Sequence, residues 1–200
     1  MPAAQRRETI LAAAETVFAQ RGYHGASLDD IAHAATISKA LIYEHFASKR
    51  ELHASLVDAY VSEIFARLQA NAALDTRGEE RLRGGLHAFF SFVEEHRGAW
   101  RALFRDAADP EVTERLARVQ DQAAGVVAVL MAADHDDADE LSIRMHAQLL
   151  FGAVQALANW WHDHQEVSRD VVVDHAVEFC WVGMQRLSQG SALGLSSPAP

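Results

Sequence analysis

The sequence predicts an all-α chain, with a small N-terminal three-helix unit of helix-turn-helix type followed by a larger helical domain. Three observations predict it. Apolar residues recur at three- and four-residue spacing through most of the 200 positions, serines stand where helices should begin, and two short amphipathic stretches lie only two or three residues apart between residues 27 and 46. Two short helices joined so tightly make a helix-turn-helix, whose second member has the dimensions of the DNA major groove.

The first helix carries Ile10, Ala14, Val17 and Phe18 on one face, and Gly22 is placed to end it in a left-handed cap. Ser27 opens the second, with Asp30 three residues on as a capping partner and Leu28, Ile31, Ala32 and Ala35 as a narrow apolar face. The third runs from about Ile37 to Phe46. Its Ile42 and Phe46, four apart, close the small core from the third side and leave Lys39, Ala40 and Tyr43 pointing elsewhere. Ser48 and Glu51 form a full Ser-x-x-Glu box, so the next helix should begin at Lys49.

The stretch from about Arg6 to Leu56 holds Phe18, Gly22, Tyr23, Ser27, Ile31, Ala32, Ser38, Tyr43, His45, Phe46, Lys49 and Leu52. In these residues and their ungapped spacing from Gly22 to Lys49 it resembles the DNA-binding domain of TetR-type transcriptional regulators. The resemblance covers about a quarter of the chain. It implies a homodimer that binds a double-stranded DNA operator and is released by a small molecule held in the C-terminal domain. Domain limits of 1–48 for DNA binding, 49–188 for effector binding and dimerisation, and 189–200 for a flexible tail follow from this reading.

Charge is divided unevenly. Residues 1–50 hold six Lys or Arg against five Asp or Glu, net +1, whereas residues 51–200 hold twelve against twenty-three, net −11. Only the first segment can meet phosphates comfortably, so DNA contact should be confined to one end of the molecule and depend strongly on salt. The single cysteine, Cys180, excludes an intrachain disulfide and fits a reducing cytoplasm. The start of the chain lacks a signal-peptide pattern and no apolar run approaches the ~20 residues needed to span a bilayer, so a cytoplasmic protein without membrane partners is expected.

Beyond residue 48 the pattern gives a long helix from Lys49 to about Ala72, with Leu52, Leu56, Tyr60, Ile64 and Leu68 in one row. Helices are then expected over Glu79 to His96, Ala99 to Ala107, Pro110 to about Ala132, Ala138 to Asp163, and Arg169 to Ser188. Proline at the first position of the third of these suits a helix start, and Ser168 caps the last. The last two are the most apolar, and small residues on their seams permit close approach. Leu149, Gly152, Ala156 and Trp160 on one, with Phe179 and Gly183 on the other, are expected to form the dimer contact that the resemblance implies; their spacing alone would equally serve an internal core.

Other chemistries are less well supported. His162-Asp163-His164 and Asp134-His135-Asp136 suggest metal, yet the loop lacks a calcium-binding pattern and the two histidines point apart, so they read as solvated helix ends and no metal is assigned. Cys180 reads as a buried thiol. Neither a Gly-x-Ser-x-Gly elbow nor a phosphate-binding glycine loop occurs, so no catalytic residue and no cofactor is assigned. Large apolar side chains in the second domain favour a small hydrophobic effector, for which Phe90, Trp100, Phe104 and Phe151 are candidate contacts and His87, Gln148 and Gln155 candidate polar partners.

At the DNA, Ser27, Thr36, Ser38, Lys39, Ala40, Leu41, Tyr43, His45 and Lys49 are the expected contacts. Residues 37–46 contain no Arg, Asn or Gln, so Lys39 is the sole candidate for a guanine edge, with Ala40 and Leu41 for thymine methyls. Tyr43, Lys49 and the helix start at Ser27 are assigned to phosphates by the resemblance. The chain thus reads as a transcriptional regulator, more as repressor than activator. The alternatives are a small-molecule binding module with a degenerate helix-turn-helix and an all-helical enzyme.

Overall fold

The computed structural model describes residues 3–100, 110–134 and 139–188, and every regular element among them is a helix. These are α1 (Ala3–Gly25), α2 (Leu28–Ala34), α3 (Lys39–Tyr43), α4 (Lys49–Ala72), α5 (Gly78–Glu95), α6 (Arg97–Trp100), α7 (Pro110–Asp134), α8 (Glu140–His162) and α9 (Arg169–Ser188). The chain divides into two compact units, one of residues 1–66 with 92–117 and one of 67–91 with 118–200. Helices α4, α5 and α7 each contribute to both.

In the first unit, Ile10, Ala14, Val17 and Phe18 of α1 meet Leu28, Ile31 and Ala32 of α2, Ile42 of α3, Phe46, and Leu52 and Leu56 of α4 in a buried core. Gly22 does not end α1 in the expected left-handed cap. Its φ of 67° comes with an extended ψ of 172°, a conformation open to glycine, and the chain kinks there before helical turns resume to Gly25. The helix-turn-helix itself turns at Thr36, whose φ of 56° is the one positive value at a non-glycine position among the described residues. The third helix is consequently shorter than its sequence span, five residues from Lys39 to Tyr43, capped by Ser38, whose hydroxyl accepts from the Leu41 amide at 3.2 Å.

The predicted capping box at Ser27 is complete, and the one at Ser48 is formed only in its serine half. Ser27 Oγ accepts from the Asp30 amide at 3.1 Å while the Ser27 amide donates to Asp30 Oδ2 at 3.0 Å. At the start of α4, Ser48 Oγ accepts from the Glu51 amide at 3.1 Å, but Glu51 reaches one residue further back, to the Ala47 amide at 2.6 Å. Each cap contributes about 1 kcal/mol to helix stability. The short helix α6 lies on α1 so closely that a Cβ at Gly98 would stand 2.9 Å from Ala19 Cβ, which is why glycine occupies that site.

The second unit packs Phe90 of α5 edge-on against Trp161 of α8, ring centroids 5.7 Å apart and both side chains fully buried. Trp161 also donates from Nε1 to the Val167 carbonyl at 2.7 Å and so fixes the turn between α8 and α9. A second buried group joins Met131, Ile143, Ala147 and Cys180. Asp139 caps α8 by accepting from the Ser142 amide at 2.9 Å, and Pro110 is the first residue of α7 as expected. No helix among the described residues is long and apolar enough to cross a membrane.

Candidate nucleic-acid interface

The outward side of the helix-turn-helix is small and polar. Thr36, Ser38, Lys39, Ala40 and Tyr43 are exposed and Leu41 and His45 half-buried, while Ile42 and Phe46 turn into the core, so the i, i+4 argument separated the two sides of α3 correctly. A major groove could therefore be read by an ammonium, a phenol, a methyl and a leucine. This is a sparse set, and DNA shape must supply part of any sequence preference.

Two of the expected contacts have partners that sequence spacing does not reveal. Lys39 Nζ lies 2.8 Å from Asp29 Oδ2 across the turn, and this carboxylate raises the lysine's pKa by hydrogen bond first and charge second. Both groups are well exposed, so water screens the pair and it can open when a better partner arrives. At the start of α2, Ser27 bonds back to Asp30, which Arg21 Nη1 also meets at 2.6 Å. The Ser27 hydroxyl holds the Asp30 carboxyl below its usual range. A carboxylate thus already occupies the positive end of α2.

Lys49 is more deeply tied. Its Nζ donates to the Tyr23 carbonyl at 2.8 Å and the Ala26 carbonyl at 2.9 Å and lies 4.5 Å from the Tyr23 ring centre. It clamps the start of α4 to the turn between α1 and α2, so two of its three protons are engaged before any phosphate approaches. Lys49→Met is expected to lower stability by about 2–3 kcal/mol, the order expected when charge-assisted hydrogen bonds to part-buried carbonyls are lost. Urea unfolding of the variant tests this; a loss below about 0.5 kcal/mol would show that the clamp is idle.

Other predicted residues are dispersed. Phe90 is fully buried, whereas His87, Phe151 and Gln155 are half-buried. Gln155 Oε1 accepts from Gln120 Nε2 at 3.1 Å, which pairs α8 with α7 by one polar bridge. Gln148 is exposed beside Leu149, apart from the buried face of α8 formed by Ile143, Ala147, Val154, Ala158 and Trp161, so the structure does not bring it to the other effector candidates. Trp100 is buried within the first unit. Phe104 lies outside the described residues. Of the expected dimer residues, Leu149, Gly152, Ala156, Trp160 and Phe179 are all exposed, Trp160 being stacked on His164 with centroids 4.0 Å apart. Gly183 lies in α9, and its surroundings are outside the described residues. An apolar groove between α8 and α9 is lined by Ala153, Val154, Leu157, His175, Ala176, Phe179 and Cys180. Burial pushes the Cys180 thiol pKa up, which keeps it protonated.

Comparison with known proteins accords with this geometry. Residues 10–56 match the description "Bacterial regulatory proteins, tetR family", and residues 79–183 match "Tetracyclin repressor-like, C-terminal domain". The chain is 28% identical over 189 residues to the HTH-type transcriptional activator FasR of Mycolicibacterium smegmatis, an alignment that spans 94% of this chain and 86% of that one. A TetR-like transcriptional regulator from Rhodococcus sp. RHA1 superposes with a TM-score of 0.79 at 29% identity, over 92% of this chain and 98% of the other. The regulator FadR of Bacillus subtilis, solved in complex with stearoyl-CoA, has the same fold with a TM-score of 0.79 at 18% identity, over 88% of this chain and 98% of that one.

Proposed function

The chain belongs to the TetR family of bacterial transcriptional regulators, and from that premise we propose that it is a homodimeric repressor released from a palindromic DNA operator by a small hydrophobic effector. Residues 1–48 read the operator and residues 49–188 hold the effector and the partner subunit. The observation that carries the reading is the exposed side of α3, Ser38, Lys39, Ala40 and Tyr43, held out by a capped and buried frame. Repression is a matter of sign that promoter position decides, since the relative FasR is named an activator.

An apolar effector is supported by the half-buried Phe151 of the second unit, with the Gln120 and Gln155 pair as a polar element that can orient a ligand. The stearoyl-CoA bound by FadR supports the capacity of this fold to take a long apolar ligand. The effector must bind the DNA-incompetent state better, because a ligand indifferent to the two states shifts nothing.

Gel retardation on DNA flanking the protein's own gene, at graded salt, tests the proposal. Retention of one fragment with steep salt dependence is expected; ligand binding without retention of any fragment would leave only a small-molecule binding module. Lys39→Ala should cost about 1–3 kcal/mol on the preferred sequence and less on unrelated DNA. Asp29→Asn should strengthen binding to all sequences, because it removes a negative charge beside the phosphates and frees the lysine. Equal weakening of all sequences by Lys39→Ala would refute base reading by that side chain.

A further inference from the structure

Among the described residues, His162 and His164 are not where the fold gathers metal-ligating groups, and His135 lies outside the described residues. Glu63 of α4, Glu95 at the end of α5 and His96 directly after it offer ligand atoms that all lie within 4.8 Å of one another, in the unit that also holds α1 to α3. His96 Nε2 stands 3.3 Å from Glu63 Oε1, and its other nitrogen, Nδ1, stands 3.8 Å from Glu15 Oε1 of α1. An independent sign comes from Tyr60. It is 5% exposed, its ring lies 4.6 Å from the His96 ring, and its hydroxyl makes no hydrogen bond at normal geometry.

We propose that Glu63, Glu95 and His96 form a binding site for a divalent first-row transition-metal ion such as Zn2+, with Glu15 as the carboxylate that orients the imidazole. A neutral imidazole nitrogen with two carboxylate oxygens suits borderline ions better than Mg2+ or Ca2+, which prefer oxygen alone. The opposed placement of Glu63 and Glu15 on the two ring nitrogens is the arrangement in which a ligating histidine donates its second N–H to a carboxylate. A dication placed here is drawn by the carboxylates of Glu63 and Glu95 beside the imidazole. Water completes the coordination. The ion would clasp α4 to the joint between α5 and α6 with α1 behind it, stiffening the frame on which α2 and α3 stand. The rival account is an ion-pair network in which a protonated His96 bridges Glu15 and Glu63 without metal.

The full-length protein, stripped with chelator, is titrated with Co2+ and followed by visible absorption and thermal melting. One saturable site per chain is expected, displaced by Zn2+, with a raised melting temperature. Glu63→Gln and His96→Gln should each weaken Co2+ binding at least about tenfold, Glu15→Gln should also weaken it, and a His162→Ala/His164→Ala double variant should not. Glu63→Gln changes a partly exposed side chain by one atom and keeps the test open if His96→Gln folds poorly. Absence of saturable binding, binding unchanged in Glu63→Gln, or binding lost only in the His162/His164 variant would overturn the site. DNA retention does not enter this readout, so its outcome is separate from that of the regulatory reading.

Discussion

Phe179→Glu is expected to turn the proposed dimer into a folded monomer that no longer retains DNA. Phe179 is 75% exposed, and it shares α8 and α9 with Leu141, Met145, Leu149, Trp160, Val171 and Val182, all at least 40% exposed. Large apolar side chains so concentrated on two helices are the mark of a surface meant to be covered. Small residues between them, Gly152 and Ala156, are exposed on the same helix, and a Cβ added at Gly152 would meet nothing within 4 Å. A second backbone can therefore approach closely there. Dimerisation would bury Phe179 for a gain of about 2–3 kcal/mol per copy, and a two-fold axis would place the carboxylates of Phe179→Glu in a dry seam on both sides. A single helix-turn-helix contacts one half-site, so losing the partner should weaken DNA binding a hundredfold or more. Sedimentation velocity and gel retardation read the two effects, and circular dichroism shows whether the variant remains folded. A dimer of unchanged stability would remove Phe179 from the interface.

The exposed apolar face of α8 and α9 was legible in the sequence in that helical periodicity assigns faces, although periodicity left open whether the face met a partner subunit or an internal core. Exposure of Leu149 at 69% and Phe179 at 75% now argues against the internal core. Local chemistry was equally readable: the box at Ser27, the caps at Ser48 and Ser168 and the proline opening α7 depend on residues within four positions of one another. What could not be read are pairings set by the path of the turns. Asp29 meets Lys39 ten residues later, Lys49 returns to carbonyls 23 and 26 residues earlier, and Glu15, Glu63 and His96 come from three separate helical segments. The positive φ of Thr36 was hidden for another reason. A β-branched residue rarely accepts it, and only the need to join α2 to α3 in four residues imposes it. The same limit applied to Phe90 and Trp100, since an aromatic stripe looks alike whether it lines a cavity or fills a core.

Phe90→Ala is expected to cost about 3–5 kcal/mol of stability, which would assign this residue to the core of the second unit instead of to the face of an open pocket. Its side chain has no solvent exposure, and Trp161, which it meets edge-on at 5.7 Å, has none either. The edge-on contact adds about 0.5–1.5 kcal/mol to the burial of the ring itself. Trp161 is anchored independently through its bond to the Val167 carbonyl, so it cannot collapse into the space that the smaller residue would leave. A cavity that cannot collapse is what places a substitution at the upper end of the range for its type. Phe151→Ala, at a half-buried position, should cost less, and the difference between the two is a better measure than either alone. Denaturant unfolding with the slope compared between variants gives the values. Should Phe90→Ala lose less than about 1 kcal/mol while abolishing release from DNA by an apolar effector, the ring would instead be a wall of the ligand site, as its aromatic character first suggested.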